Sequence, residues 1–540
     1  MKIFKVCKRH LIAHKTALII YTSIILSTTA ISMYLPMLIG GFIDVLIEAP
    51  NIEPVIRFSL IFAGLSIVRI LLDYARTILY VKIQIKSGYS LMTNVVKHAQ
   101  NLSLSFINKN DSAYLSQRIN QDANTLIIFC ITFFQNVVIN ILLLIIPFVI
   151  LMRLSWIIAI FLAAFLIVYA VIFLAFRKPI YNADMNLKNS QNNFFSALFD
   201  QLKFAKQIKA NSIYSHMLKK LDTSFNDVFN KSIWQQKVSY AYGGLDGVVT
   251  IIAQIILFIV GGIQILNGNF TIGMFTIFSA YFTMMLGACR FFFNMGATYV
   301  QTVVSYDRIM AIYQEPITNG NLIINDLSKI EIKDLSFSFG ENNVFRNLNK
   351  TFQKGKVYCI AGENGAGKST LINVILGLYS LEFEGDVKFD GNSISELNML
   401  EFRSKISGIA EQEPVLISDS VLYNINFGIS DKEELLKDLI KILKMEDFLD
   451  EQALEREIND KSSNISGGEK QKLSILRVLY KRPPLMIFDE PTSALDVQST
   501  ELFMNYILSV KEKHIIIIIS HDKEIHALCD EVMQLSNPIV

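Results

Sequence analysis

The sequence predicts two parts of unlike fold: an all-α membrane part with six spanning helices, followed by an α/β domain. Three observations predict this. Hydrophobic residues make up 52% of the 540 residues and charged residues 18%, against about 25% charged in soluble domains. Charge divides along the chain. Residues 1–310 carry 26 Lys+Arg against 12 Asp+Glu, and residues 311–540 carry 24 against 36, within a net charge of only +2. Near residue 330 long apolar runs give way to short β-rich runs alternating with amphipathic helices. The parts are therefore read as 1–310, a linker at 311–329, and 330–540. This composition excludes a disordered chain, a collagen and a disulfide scaffold.

A helix needs about 20 mostly apolar residues to cross a bilayer. Six stretches qualify, near 16–40, 55–80, 127–151, 155–176, 244–266 and 272–297. The first is too long an apolar run to be a cleaved signal peptide. Loop charges set the orientation. The N-terminal tail carries Lys2, Lys5, Lys8, Arg9 and Lys15; the connection 81–126 carries Lys82, Lys86, Lys97, Lys109 and Arg118; the connection 177–243 carries ten basic residues. The remaining connections hold Arg153 alone among them, and the first holds Asp44, Glu48 and Glu53. The N-terminus, both long loops and the C-terminal part are thus expected on the cytoplasmic side of the cell membrane.

Both long connections have helical periodicity with little Gly or Pro, so the spans are expected to continue into the cytoplasm and turn there, near 108–118 and 200–214. The second turn offers Phe199, Leu202, Phe204 and Ile208 among Lys203, Lys206 and Lys209. Its positive charge complements the acidic C-terminal part. Arg69, Asp73 and Arg76 are spaced to pair on one helix. Arg290 has no partner evident in sequence, so it either lines a polar cavity or closes a structural contact. Met274, Met284, Met285 and Met295, with Phe275, Phe278, Phe282 and Phe291–Phe293, crowd the last span. They suit a surface for apolar ligands or, more simply, helix packing. Cys7, Cys130, Cys289, Cys359 and Cys529 form no CxxC and straddle both parts, which argues against a disulfide framework and a zinc site and suits a reducing compartment. The basic residues flank apolar runs instead of forming one patch, so no nucleic-acid partner is expected.

In the C-terminal part, Gly362-Glu363-Asn364-Gly365-Ala366-Gly367-Lys368-Ser369 satisfies G-x-x-x-x-G-K-[ST]. It follows the apolar strand 357–361 and opens a helix that continues through Thr370. Glycines let backbone N–H groups close around phosphates, the helix N-terminus adds a positive dipole, Lys368 neutralises β/γ charge, and the Ser369 hydroxyl suits Mg2+. Leu485–Glu490 is an apolar strand ending in two carboxylates: Asp489 to hold Mg2+, and Glu490 to orient the attacking water. Ser466, Gly467 and Gly468 precede a helix near Glu469 and form a second anion cradle.

This ordered set resembles the ATP-binding-cassette (ABC) transporters, over essentially the whole chain. The resemblance identifies Gly362–Ser369 as Walker A, Gln412 as the Q-loop glutamine near Mg2+, and Ser466–Glu469 as the signature. It identifies Asp489 and Glu490 as Walker B and the catalytic glutamate, Asp496 as the D-loop aspartate, and His521 as the switch histidine. Phe339 falls where the family stacks an aromatic ring on adenine. Phe106–Asp122 resembles a first coupling loop with Ala113 in place of glycine, Gly268–Gly273 the start of the sixth helix, and Ser305–Pro316 the entry to the cassette. The signature departs from the family pattern at Glu469, usually Gln, which adds a negative charge near the nucleotide, and at Ile465, usually Leu. Asp460 keeps an acid before it. The chain ends 19 residues after His521, short of the usual tail, and no peptidase domain precedes the first span.

The resemblance implies an exporter-type half-transporter that hydrolyses ATP with Mg2+. Its ATP sites form between Walker A of one cassette and the signature of another, so a dimer is implied. A homodimer is the economical choice and a heterodimer the alternative. Surrounding membrane lipid is the solvent of the spans. The substrate ranks as a bacteriocin-like peptide first, then a lipid or an amphipathic drug. The rival reading, a membrane ATPase that senses or gates without transport, sits poorly with an intact Glu490 and long cytoplasmic loops.

Overall fold

Apolar runs fold here into helices longer than the hydrocarbon layer of a bilayer is thick, and three of these helices carry an internal proline, Pro36, Pro147 and Pro179. The computed structural model describes residues 2–48, 52–109, 112–154, 156–317, 320–340, 342–379, 382–428, 433–446, 448–449, 451–458, 465–493 and 495–536, some of them by backbone alone. Asp460 and the Phe293 side chain lie outside the described residues. Two compact units result: residues 1–97 with 115–314, and residues 98–114 with 315–540.

The first unit contains α1 (Lys2–Ile12), α2 (Lys15–Glu48), α3 (Ile52–Ala99), most of α5 (Ser112–Leu154), α6 (Trp156–Lys203), α7 (Ala205–Asn211), α8 (Tyr214–Leu266) and α9 (Ile272–Gln314). At 1.5 Å per residue, α3 is about 72 Å long, more than twice the ~30 Å hydrocarbon layer. One helix is therefore long enough for both a span and an arm beyond the bilayer. Five helices among the described residues are long and apolar enough to span: Lys15–Glu48, Ile52–Ala99, Ile119–Arg153, Tyr214–Leu266 and Ile272–Phe292. The expected sixth, 155–176, lies on α6, where most side chains fall outside the described set. The apolar window of α3 buries none of its residues, an exposure that lipid accounts for and water does not.

Helices α2 and α9 meet through glycines. A Cβ on Gly273 would lie 2.1 Å from the Gly40 carbonyl oxygen, so only glycine permits this approach. Just beyond, Asp44 accepts the Gly273 N–H (2.8 Å) and the Thr271 hydroxyl (2.7 Å), capping α9. Phe278, Phe282 and Met285 are buried against Leu151, Ala253 and Leu257, so this part of the crowded last span is helix packing. Asp73 pairs with Arg76 at 3.1 Å and Arg69 at 3.8 Å. Arg290 pairs with Asp246 (2.9 Å) and donates to Thr250 (2.9 Å), both on α8. The structure thus supplies the partner that the sequence did not reveal, and the contact is structural.

The second unit holds two sheets. β1 (Lys329–Phe339), β2 (Asn342–Gln353), β4 (Phe383–Phe389) and β5 (Asn392–Ser393) form an antiparallel sheet in the order β2-β1-β4-β5. β3 (Val357–Ala361), β6 (Ser407–Ala410), β7 (Leu485–Asp489), β8 (Ile515–Ile519) and β9 (Glu531–Gln534) form a parallel sheet in the order β6-β7-β8-β3-β9. The five isoleucines of β8 show why it is buried on both faces. Ile515, Ile517 and Ile519 join one core, and Ile516 and Ile518 the other. Around the sheets lie α10 (Lys368–Ile375), α11 (Met399–Glu401), α12 (Val421–Asn426), α13 (Glu433–Ile442), α14 (Glu451–Glu455), α15 (Gly467–Lys481), α16 (Val497–Val510) and α17 (Lys523–Leu528).

The turn of the first long connection differs from the expected 108–118. Its short helix, α4, is Leu104–Lys109, and it belongs to this second unit. Leu104 donates its N–H to the Leu378 oxygen (2.6 Å) and packs on the core of this unit. An apolar anchor earlier in the loop, which local periodicity does not distinguish, sets the turn.

Candidate active site

Parallel pairing puts the ends of β3, β6, β7 and β8 on one edge of the sheet, where ligands of such sheets bind. Those ends lead to Gly362, Gln412, Asp489–Glu490 and His521. Strand β3 is entirely buried. The loop after it turns on glycines with φ of 155° at Gly362, 86° at Gly365 and 87° at Gly367. A Cβ at Gly362 would lie 2.3 Å from the Leu535 oxygen, and one at Gly367 2.4 Å from Val344, whereas at Gly365 it would meet nothing within 4 Å. The loop is packed from behind and open in front. Glu363, Asn364 and Ser369 are exposed, Ala366 is buried, and Thr370 is half-buried on α10.

The Lys368 ammonium donates to the oxygens of Gly362 (2.8 Å) and Glu363 (3.0 Å) and lies 3.0 Å from His521 Nε2. Ser369 donates its hydroxyl to Asp489 Oδ2 at 2.9 Å. Burial, reinforced by the adjacent Glu490 charge, pushes the Asp489 carboxyl above its ordinary value, against the Ser369 hydrogen bond and the Lys368 charge. A desolvated carboxylate beside a hydroxyl is a hard-oxygen pair that suits a divalent cation. Gln412 Nε2 donates to Glu490 Oε2 (2.7 Å), and His521 Nε2 lies 3.3 Å from Glu490 Oε1. Lys368, Ser369, Gln412, Asp489, Glu490 and His521 thus meet in one place. Phe339, half exposed, leans edge-on against Phe337 and Tyr379, with centroids 4.9 and 5.6 Å away.

The signature segment stands outside this network. Ser466 caps α15, accepting the Glu469 N–H at 3.3 Å, while Glu469 reaches back to the Ser466 N–H at 2.7 Å. This reciprocal box sets Gly467 and Gly468 at the helix start. Asp496 caps α16 through the N–H (2.8 Å) and hydroxyl (2.7 Å) of Ser499, and those bonds hold its carboxyl below the ordinary range.

Sequence reasoning missed Gln471. It is buried, and its Nε2 donates to the Glu490 carbonyl (2.6 Å) and to Ser493 Oγ (3.0 Å). One signal was available: it lies one helical turn before Ile475, on the face of α15 that the apolar residues bury. Tyr379, beside Phe339, comes from a distant segment and had no local signal.

Two family models match the chain: the ABC transporter transmembrane region over residues 18–289, half of the chain, and the ABC transporter domain over residues 345–493. The chain is 29% identical to ABC transporter B family member 1 of Dictyostelium discoideum over 325 residues, 57% of this chain but only 35% of that protein. It is 25% identical to the lactococcin-G-processing and transport ATP-binding protein of Lactococcus lactis over 513 residues, 93% of this chain and 72% of that one. It is 26% identical to a Staphylococcus aureus ATP-binding/permease protein named for multidrug export over 529 residues, 94% of this chain and 90% of that one. The solved structure of a bacterial Atm1-family ABC exporter with ATP bound has the same fold, at a TM-score of 0.84 and 18% identity over 97% of this chain and 95% of that one. A membrane region fused ahead of a cassette, matched in both parts, makes this chain a member of the ABC transporter family: a membrane half-transporter of the exporter type that couples ATP hydrolysis to transport.

Proposed function

We propose that the chain works as a homodimer in the cell membrane, with its basic loops and cassette in the cytoplasm, and exports an amphipathic peptide of the bacteriocin kind. The observation that carries the site assignment is the convergence of six polar side chains at the carboxyl edge of the parallel sheet. In this reading the open P-loop face, Gly362–Thr370, takes the ATP phosphates, and Phe339 offers its ring to adenine. Ser466–Glu469 serves the partner copy's nucleotide, next to the D-loop at Asp496. Ser369, Asp489 and Gln412 would hold Mg2+, which when bound offsets the charge of the β- and γ-phosphates. Lys368 stands ready to turn from its loop carbonyls to phosphate oxygens. Glu490, oriented by Gln412 and His521, positions water and draws off its proton.

A peptide substrate draws support from the L. lactis relative. The S. aureus relative favours a drug-like amphiphile instead. Inside-out vesicles containing the full chain separate these readings. With ATP they should accumulate a fluorescent bacteriocin-class peptide more than a hydrophobic cationic dye. Glu490→Gln should still bind ATP while hydrolysis falls roughly 10²–10⁴-fold and uptake ceases. Dye uptake without peptide uptake contradicts the substrate class, and near-normal phosphate release by Glu490→Gln contradicts the assignment of that carboxylate.

A further inference from the structure

Glu490 carries a backbone that a glutamate adopts only when its surroundings force it. Its φ is +49°, in the left-handed region that side chains with a Cβ avoid. The residue is pinned at both its backbone polar groups. Its N–H donates to the Ile519 oxygen at 2.9 Å. Its carbonyl accepts Gln471 Nε2 at 2.6 Å and the Ser493 hydroxyl at 3.0 Å. Gln471 is 4% exposed, so it holds this bond away from competing water. Its amide also bonds Ser493, three residues after Glu490. A carbonyl gripped in this way fixes the peptide plane from which the Glu490 side chain departs toward Gln412 and His521.

We infer that Gln471 is a positioning residue for hydrolysis: a buried amide on α15 that clamps the left-handed backbone of Glu490 and the following turn, thereby aiming the carboxylate. Gln471 lies five residues after Ser466, on the same helix. The clamp therefore ties the segment that would serve the partner's nucleotide to the carboxylate of the chain's own site. The inference rests on the reading of Glu490 as the residue that positions water.

The test is ATPase kinetics and thermal melting of the full-length protein in lipid, with Gln471→Leu, Glu490→Gln and the double variant. Released from the clamp, Glu490 aims poorly although the phosphate cradle is intact. Gln471→Leu should therefore lower kcat about tenfold or more with KM for ATP within about twofold. In the Glu490→Gln background, where there is no carboxylate left to aim, the same change should alter single-turnover phosphate release by less than about twofold, a non-additivity expected of coupled residues. An unchanged kcat, or a tenfold loss that persists in the Glu490→Gln background, overturns the clamp. If Glu490→Gln itself hydrolyses normally, the reading of Glu490 has failed instead. Should Gln471→Leu not fold, Gln471→Met keeps the length of the side chain but lacks the donor. It should show the same kcat loss, and a normal kcat in that folded variant overturns the inference equally.

Discussion

Glu469 stands where the family's signature usually has glutamine, and the structure gives its carboxylate a local use: it closes the capping box of α15 by accepting the Ser466 N–H at 2.7 Å. Glutamine fills that position of the box as well, so the cap alone does not require the charge. On the proposed reading this charge faces the phosphates of the partner's ATP. Glu469→Gln should therefore leave the melting temperature within about 2 °C and lower KM for ATP about two- to fivefold at low ionic strength. The difference should shrink as salt shortens the screening length. A KM unchanged at low salt contradicts the placement of that charge beside the phosphates. The motif residues were legible in the sequence because each motif is local. The pairings were not: Asp246 lies 44 residues before Arg290 on another helix, and the contact between Gln471 and Glu490 spans 19 residues and two elements.

At the scale of elements, the α6–α7–α8 tip sorts the apolar residues of the second long connection's turn into two classes. Ile208 is buried within the tip, whereas Leu202 is 74% exposed and Phe204 40% exposed, with the Lys203 ammonium 5.6 Å from the Phe204 ring centre. Ile208 therefore holds the turn together, and Phe204 and Leu202 are left for a partner surface. Phe204→Ala should keep thermal stability and basal ATPase while weakening stimulation by substrate and transport. Ile208→Ala should instead lower stability by about 2 kcal/mol or more, the cost of emptying a buried aliphatic site. Melting temperature and stimulated ATPase, measured on both variants, check the division; loss of stability in Phe204→Ala contradicts it. Helix type and length were legible here, because uninterrupted periodicity continues from span to arm. The position of the first turn was not, because Leu104 is chosen by the surface around Leu378.

For the molecule as a whole, the central proposal is that one chain carries two halves of different ATP sites: a P-loop network of converging polar side chains, and a signature segment, Ser466–Glu469, whose side chains among the described residues close a capping box on their own helix start. The division into a membrane part and a cassette was legible from composition and charge, since solvent dictates both. Assembly is not written in any local pattern, and its proposal rests on the resemblance to the family. Introducing Asn364→Cys, at the exposed front of the P-loop, and Gly467→Cys, where an added Cβ meets nothing within 4 Å, into a Glu490→Gln chain tests this directly. The native cysteines are buried or half-buried among the described residues, and the unmodified chain controls for them. The account predicts an oxidative crosslink that runs at twice the chain mass and forms only when ATP and Mg2+ are present. A crosslink confined to single chains, or one between chains that ignores ATP, would contradict it.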